Sequence, residues 1–339
     1  MREHQTQRTS MQPEVSVIVL TYNQESTVRR TLESILSQKC DFPFEIVIGD
    51  DASSDNTLSI CREYENKYPH IIHLIANTVN KGVIKNYFDC IINAKGKYIA
   101  DCAGDDYWVC DTKLQQQYNI LENEPNISVV HTDWMYENIV TGELTPHDTN
   151  RHEYFVPHLN GKILLKAYLR RDAKILIHSC TYMYRKHIIA DLYHTNPEFF
   201  INKGWTAEDV TTISALLYFG DVAYIPTVTL HYSIGGNSIS SVGDFNKTFD
   251  FYYGCILQNR YIADFFNVPQ SELKDFYVTY IHFVLMLAIH SGDKLRREKL
   301  LEFVNKYRLP TSLKSKVAIA LSSTQSGWKL LNKFTLKRH

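Results

Sequence analysis

Acidic side chains stand in adjacent pairs at Asp50-Asp51, Asp105-Asp106 and Glu208-Asp209. Mg2+ and Mn2+ are commonly held by one or two carboxylates plus substrate phosphates, so acidic pairs of this kind are candidates for metal chemistry. Asp105-Asp106, with Gly104 before it and Tyr107-Trp108 behind it, fits that use; an acidic turn ahead of a helix is the competing reading. Two further polar runs accompany it, Thr21-Tyr22-Asn23-Gln24-Glu25 and Asp50-Asp51-Ala52-Ser53-Ser54-Asp55-Asn56. Familiar nucleotide signatures are missing: no GxGxxG follows the first apolar run, and there is no P-loop. A calcium loop starting at Asp51 also fails, with Asn56 where glycine is needed and Arg62 where glutamate is needed.

The segments between these runs must position them. Val15–Thr21 is a short β-branched stretch, the pattern of a buried strand, and Val28, Leu32, Ile35 and Leu36 then recur at helical spacing. The alternation continues with a strand at Phe44–Gly49, a helix at Thr57–Lys67, a strand at Ile71–Ala76 and a helix at Val83–Ala94. A strand at Lys97–Asp101 and a helix at Thr112–Asn123, with Asp111 as its N-cap, complete it. Such alternation predicts an α/β domain whose parallel sheet is covered on both faces. In these sheets ligands bind beyond the carboxyl ends of the strands, and the first three polar runs all fall there. Beyond Thr132 the pattern loosens, and residues 137–175 read as a polar loop. His178–Tyr184 reads as a strand, Val210, Ile213 and Leu217 mark a helix, and Val222–Ile225 and Val228–Tyr232 read as two closing strands. From Phe245 onward the spacing is helical.

With 339 residues, the chain exceeds what one core usually serves, which predicts a large domain plus a helical extension. Its formal net charge of −1 argues against a dedicated nucleic-acid binder. Met1–Gln12 lacks the apolar core of a signal peptide, and the longest apolar run, Ile281–Ile289, is too short to span a bilayer. Seven cysteines without a CxxC pair predict reduced thiols and a cytoplasmic location.

Four stretches in fixed order resemble the inverting, GT-A-type glycosyltransferases of family 2. They are VSVIVLTYNQE, EIVIGDDASSDNT, NKGVIKNYFDCIINAKGKYIADCAGDDYW and AEDVTTISALLYFGD. The resemblance implies a GT-A nucleotide-diphospho-sugar transferase fold over residues 14–240, a mainly parallel sheet between helices, with a nucleotide-sugar half (14–130) and an acceptor half (131–240). A polar leader (1–13) would precede it and a helical C-terminal region (241–339) would follow. It further implies that Thr21 and Tyr22 line a uracil pocket shaped by Asn23 and Glu25, and that Asp51 accepts from the base. Lys81 and Gly82 would lie near the nucleotide sugar. Asp105 would contact the ribose side, and Asp106 would ligate the Mn2+ or Mg2+ that bridges the diphosphate. Asp209 would be the general base that deprotonates the acceptor hydroxyl, with Glu208 orienting the acceptor or the loop.

One departure stands out. Many relatives close this region with Tyr-Arg-x-His, whereas this chain reads His231-Tyr232-Ser233-Ile234-Gly235-Gly236-Asn237-Ser238. His231 remains a candidate for the metal or phosphate; packing within a strand is its plainer use. Trp134 and Trp205 could stack on an acceptor sugar, and packing is again the simpler account. The expectation is a metal-dependent enzyme moving sugar from a nucleotide-sugar, in the first instance a UDP-sugar, to a saccharide or lipid-linked acceptor in surface polysaccharide synthesis. A nucleotidyltransferase and a catalytically degenerate sugar-binding scaffold are the alternatives. Finally, residues 294–339 hold 12 Lys plus Arg against Glu298 and Glu302. Trp328, Leu330, Leu331 and Phe334 share a helical arc there, with Lys329, Lys333 and Lys337 on another. Such a helix could lie on an anionic membrane or simply pack its apolar side on the domain.

Overall fold

The structure, a computed structural model, describes residues 12–147, 152–172, 177–235 and 244–333. The first half follows the expected alternation: β1 (Val15–Thr21), α1 (Val28–Leu36), β2 (Phe44–Asp50), α2 (Thr57–Lys67), β3 (Ile72–Ala76), α3 (Val83–Asn93) and β4 (Tyr98–Asp101). Then come β5 (Tyr107–Trp108), α4 (Lys113–Asn123), β6 (Ile127–Asn138), β7 (Leu144–Pro146), β8 (His158–Leu159) and α5 (Gly161–Arg170). Next are β9 (Met183–Arg185), α6 (Lys186–Thr195), α7 (Pro197–Phe200), α8 (Glu208–Phe219) and β10 (Asp221–Ile234).

These strands form one sheet in the order β3-β2-β1-β4-β9-β6-β10-β5, with β7 beside β6 and β8 beside β10. Pairing is parallel across β3, β2, β1 and β4, and again between β6 and β10. The short strands β5, β7, β8 and β9 pair antiparallel, so the sheet is mixed and only its first half is the parallel layer expected. Val15, Val17 and Val19 are buried on one face of β1 and Ile18 on the other, as are Ile46 and Ile48 against Val47 in β2, so both faces are covered and the two strands read as apolar runs. On α1 the inward stripe is Val28, Thr31, Leu32 and Ile35. Chain order reverses at β1, with β2 on one side and β4 on the other. A crevice of the kind that receives ligands lies at such a point.

Several local expectations are corrected. Asp111 does not cap α4; Thr112 occupies that position without a side-chain cap, and Asp111 pairs with Lys39 at 2.5 Å. Within residues 137–175 the chain forms β7, β8 and α5, whose Leu164, Leu165, Ala167 and Leu169 are buried; interspersed lysines masked that stripe. His178–Tyr184 begins with a turn at Ser179–Thr181, because the His178 ring accepts from the Cys180 N–H, and β9 starts only at Met183. The two closing strands are one strand, β10, whose register against β6 shifts between Ile225 and Val228. Pro226 falls in that shift, where a missing N–H is tolerated.

By contact, the chain divides into one unit of residues 1–164, 175–201 and 207–236 and a second of 165–174, 202–206 and 237–339. The second unit carries α9 (Phe245–Phe265), α10 (Lys274–His290), α11 (Lys294–Lys306), α12 (Leu313–Leu321) and α13 (Gln325–Leu331). Asp244, Asp293, Ser312 and Thr324 cap four of these helices by accepting a backbone N–H. The Ile281–Ile289 run is the core of α10, and no helix among the described residues is long and apolar enough to cross a membrane. At the C-terminal arc, Trp328 donates its indole N–H to the Ile289 carbonyl at 2.9 Å and Leu331 is buried, while Leu330 is exposed. The packed arrangement therefore holds for two of its apolar members; Phe334 and Lys337 lie outside the described residues. All seven cysteines are free thiols.

Candidate active site

The loops after β1 and β2 are laced together. Asn23, held at φ 54°, donates its N–H to Ser53 Oγ at 3.0 Å, and its side-chain oxygen accepts from the Ser54 N–H at 2.8 Å. The Gln24 N–H donates to Thr57 Oγ1, and the Glu25 carboxylate accepts from both the backbone and the side-chain N–H of Asn56. Thr21 is buried and turns its hydroxyl onto Asp50 at 3.0 Å, so that side chain braces the loop. Tyr22 leaves its ring 51% exposed at the rim, open for stacking.

Asp51 is buried yet well supplied with donors. Oδ1 accepts from the Lys81 N–H at 2.8 Å and the Asn77 amide at 3.2 Å, while Oδ2 accepts from the Gly82 N–H at 2.9 Å. With two lone pairs on each oxygen, Oδ2 retains room for one more donor. Gly82, at φ 81°, lets the chain turn into α3 directly beneath this carboxylate. The Lys81 ammonium is paired with Asp89 at 2.7 Å.

The loop after β4 is of another kind. Asp106 is buried, and its Oδ1 accepts the Ser233 N–H from β10 at 2.9 Å. The Ser233 hydroxyl donates to the Asp105 carbonyl at 2.6 Å, and the Thr31 hydroxyl to the Asp106 carbonyl at 2.6 Å. Burial pushes both carboxyls above the ordinary range, and for Asp106 the neighbouring Asp105 pushes further. The opposing cation is Arg30, which reaches Glu137 at 3.1 Å and Ser233 Oγ at 3.3 Å, with its guanidinium 3.9 Å from the Tyr107 ring centroid. Gly104 lets this loop approach β1, since a Cβ there would run into the Gln24 side chain and the Leu20 carbonyl. Two oxygen donors pressed together with too little positive charge suit a hard divalent cation, so Asp105 and Asp106 fit the expected Mn2+ or Mg2+. Among the described residues, no three His, Cys, Asp or Glu side chains gather closely enough to hold an ion unaided. His231 places its Nδ1 2.8 Å from the Tyr107 hydroxyl, and burial lowers its pKa, which disfavours the charged ring.

Glu208 and Asp209 occupy the first turn of α8, where the partial positive charge of the helix end favours carboxylates. Burial, and then Asp209, raises the pKa of Glu208. Both residues interact electrostatically with Asp101, the last residue of β4, which ties this pair to the strand that carries Asp105 and Asp106. Arg30, Ser233 and Asp101 were not singled out from the sequence. Arg30 reads as a helix surface charge, Ser233 acts largely through its main chain, and Asp101 reads as the polar end of a strand. Trp134 is fully buried, stacked on His147 with ring centroids 3.4 Å apart, and has no face open to a sugar; Trp205 packs against Tyr261.

A β-α sheet whose first four strands run 3-2-1-4, with acidic loops at its switch point, is the GT-A arrangement of nucleotide-sugar transferases. The Staphylococcus aureus TarS crystal structure shares the fold, with a TM-score of 0.62 and 18% identity over 94% of this chain and 55% of that one. The family model for glycosyl transferase family 2 matches residues 16–191, more than half of the sequence, and the chain belongs to that family. It is 40% identical over 120 residues to the putative glycosyltransferase EpsE of Bacillus subtilis, covering 35% of this chain and 42% of that protein. To WfaP of Escherichia coli, a UDP-Glc:alpha-D-GlcNAc-diphosphoundecaprenol beta-1,3-glucosyltransferase, it is 38% identical over 110 residues, covering 32% of this chain and 42% of WfaP. The chain thus spans well under half the length of these curated relatives.

Proposed function

We propose that this protein is an inverting glycosyltransferase that moves a sugar from a nucleotide-sugar, in the first instance a UDP-sugar, to a saccharide or lipid-linked acceptor in surface polysaccharide synthesis. The observation that carries the reading is the pairing of two unlike acidic groups with one strand: Asp105-Asp106 in the loop after β4, and Glu208-Asp209 interacting with Asp101 at the end of β4. In this reading Tyr22 stacks on the base and the open position on Asp51 Oδ2 accepts its ring N–H. Asp105 faces the ribose, and Asp106 holds the Mn2+ or Mg2+ that, when bound, stabilises the leaving diphosphate. Asp209 takes the proton of the acceptor hydroxyl as that oxygen attacks the anomeric carbon, and Glu208 orients the acceptor. Thr21, Asn23, Glu25, Lys81 and Gly82 hold the donor loops in place.

The lipid-linked acceptor draws on that of WfaP, alpha-D-GlcNAc-diphosphoundecaprenol. An anionic membrane would meet the basic C-terminal surface, where Leu313 and Val317, one helical turn apart and exposed, stand beside Lys314 and Lys316. Liposomes with and without anionic lipid test this point; equal binding to both rejects it.

The test of the activity is release of UDP from UDP-glucose or UDP-N-acetylglucosamine, with Mn2+ or Mg2+ and a saccharide acceptor. Asp209→Asn is expected to cost about 10²–10⁴-fold in turnover, the usual contribution of a general base. Unchanged turnover removes the assignment, and pyrophosphate release from a nucleoside triphosphate would point to a nucleotidyltransferase.

A further inference from the structure

Helix α1 meets the acidic loop through a row of polar side chains. Thr27, at the N-cap position, donates its hydroxyl to the Gly104 carbonyl at 2.8 Å, and Thr31 donates to the Asp106 carbonyl at 2.6 Å. Ser34 Oγ accepts the Trp108 N–H at 3.1 Å, and the Gln38 amide donates to the Cys110 carbonyl at 2.7 Å. Thr27, Thr31 and Ser34 share one side of the helix, with Gln38 just past its end, and the residues they hold alternate along the chain. Asp105 is taken from the other side: Ser233 of β10 donates its hydroxyl to the Asp105 carbonyl at 2.6 Å. Three consecutive carbonyls, those of Gly104, Asp105 and Asp106, therefore each end on a hydroxyl.

Packing alone does not call for this row. Thr31 is fully buried in the inward stripe with Val28, Leu32 and Ile35, where valine would have the same shape and no hydroxyl to satisfy. What the hydroxyls do is remove freedom from the loop that carries the acidic pair. Main-chain oxygens are hard donors in their own right, and here all three face hydroxyls. The oxygens left to meet a cation are those of the carboxylates, and Asp106 Oδ1 is itself fixed by the Ser233 N–H at 2.9 Å. The amides of the loop are engaged too: the Gly104 N–H with the Leu20 carbonyl of β1 and the Asp106 N–H with the Ala103 carbonyl, each at 3.0 Å. Ordering a free loop around a cation costs backbone entropy, which weakens binding. A loop already pinned carries no such cost when the cation arrives.

We propose that Thr27, Thr31 and Ser233 are positioning residues: by pinning the carbonyls of Gly104, Asp105 and Asp106 they set the two carboxylates in place before a divalent cation and the donor diphosphate bind. The inference rests on the glycosyltransferase reading for the identity of what binds, and on these hydrogen bonds alone for the pinning. Arg30 secures the β10 side, lying 3.3 Å from Ser233 Oγ while paired with Glu137. Because a guanidinium only donates, the single Ser233 hydroxyl proton is left for the Asp105 carbonyl. Ser34 and Gln38 hold the chain beyond the pair, at Trp108 and Cys110, and so provide a control within the same row.

The experiment follows amide hydrogen exchange of the full chain across residues 103–109, with and without Mn2+, alongside Mn2+ affinity by calorimetry at pH 7.5. In wild-type protein the loop is expected to be protected before Mn2+ is added and to change little afterwards. Protection that appears only with Mn2+, or no Mn2+ binding at all, overturns the proposal. Thr31→Val removes one hydroxyl at nearly constant shape. Its loop is expected to exchange faster, and Mn2+ to bind about two- to tenfold more weakly, the span of one hydrogen bond. Thr31→Ser keeps the hydroxyl and should retain the wild-type affinity. Ser34→Ala breaks a bond in the same row and is expected to lower Tm while leaving Mn2+ affinity unchanged. Wild-type affinity in Thr31→Val, or an equal loss in Ser34→Ala, reduces the row to a packing device and overturns the proposal. Should Thr31→Val fail to fold, Thr27→Val, at a half-buried position, takes its place. Release of UDP from UDP-glucose supplies a further readout: Thr31→Val is expected to recover wild-type kcat at saturating Mn2+ and donor, whereas a kcat that stays low counts against a role in binding. Wild-type turnover in Asp209→Asn would defeat the glycosyltransferase assignment and leave exchange and Mn2+ affinity to decide the pinning.

Discussion

Asp50-Asp51 and Asp105-Asp106 are the same dipeptide at the same kind of place, the carboxyl end of a parallel strand, and the fold treats them oppositely. The first pair is well supplied by its neighbours: Thr21 and Ser53 donate to Asp50, and Asn77, Lys81 and Gly82 donate to Asp51, leaving one position open on its Oδ2. In the second pair Asp106 is buried and Asp105 half-buried, and although the Ser233 N–H, the Gln24 and Cys180 side chains and the Arg30 charge support them, both carboxyls are pushed upward. Well-supplied carboxylates build a frame. Under-supported ones are a standing demand for positive charge. An identical motif therefore says where a loop lies, and the count of donors around it says what the loop is for.

The widest separation between the two pairs is expected in catalysis. Asp106→Asn should reduce donor turnover by about 10²–10³-fold, comparable to losing a key electrostatic group, without loss of folding in urea titrations. Asp51→Asn should act on stability and raise the donor KM, with a smaller loss of turnover. An amide in place of that carboxylate meets N–H donors with its own NH2, and unfolding in urea should show a loss of about 2–3 kcal/mol. Equal behaviour of the two variants would erase the distinction.

Mn2+ provides an intermediate test. Because the folded-state pKa values of Asp105 and Asp106 lie above their unfolded values, the stability they contribute is fully present below about pH 4, where both states are protonated, and is lost as pH rises through the folded values. A bound cation reverses the deficit. At pH 7.5 and 100 times its Kd, Mn2+ should stabilise by about 2.7 kcal/mol, with less effect at pH 5, where protons compete. Thermal melts should show this response in Asp51→Asn and not in Asp106→Asn. The smallest effect is steric: Gly104→Ala should cost about 1–3 kcal/mol by forcing the β4 loop off β1, read as a lower Tm.

What the sequence made legible follows from its physics. The β1 to α4 segments declare themselves because buried strands are apolar on both faces and α1 has one stripe, so periodicity identifies each. Loop ends carrying Asp51, Asp105 and Asp106 follow from the same topology. Less visible is anything supplied across long separations. The Ser233 N–H has no side-chain signature, and Tyr87 and Tyr182 look like ordinary core aromatics until their hydroxyls converge on Asp101, with the Tyr184 hydroxyl beside that of Tyr87. Helix α5 was hidden for another reason, since lysines between its leucines diluted the stripe. Asp111 looked like a cap but found Lys39 instead, because a nearby cation competes with a backbone N–H for a carboxylate.

The register of these hydrogen bonds also sets an order in time. Thr21, Ser53, Asn77, Lys81 and Gly82 span about the first quarter of the chain, so the frame around Asp50 and Asp51 has all its partners early in synthesis. Asp106 must wait for Ser233, 127 residues later. A nascent chain therefore completes its donor frame while the acidic pair beside it is still missing a backbone donor, and an emerging protein acquires the shape of the site before the conditions for holding charge in it.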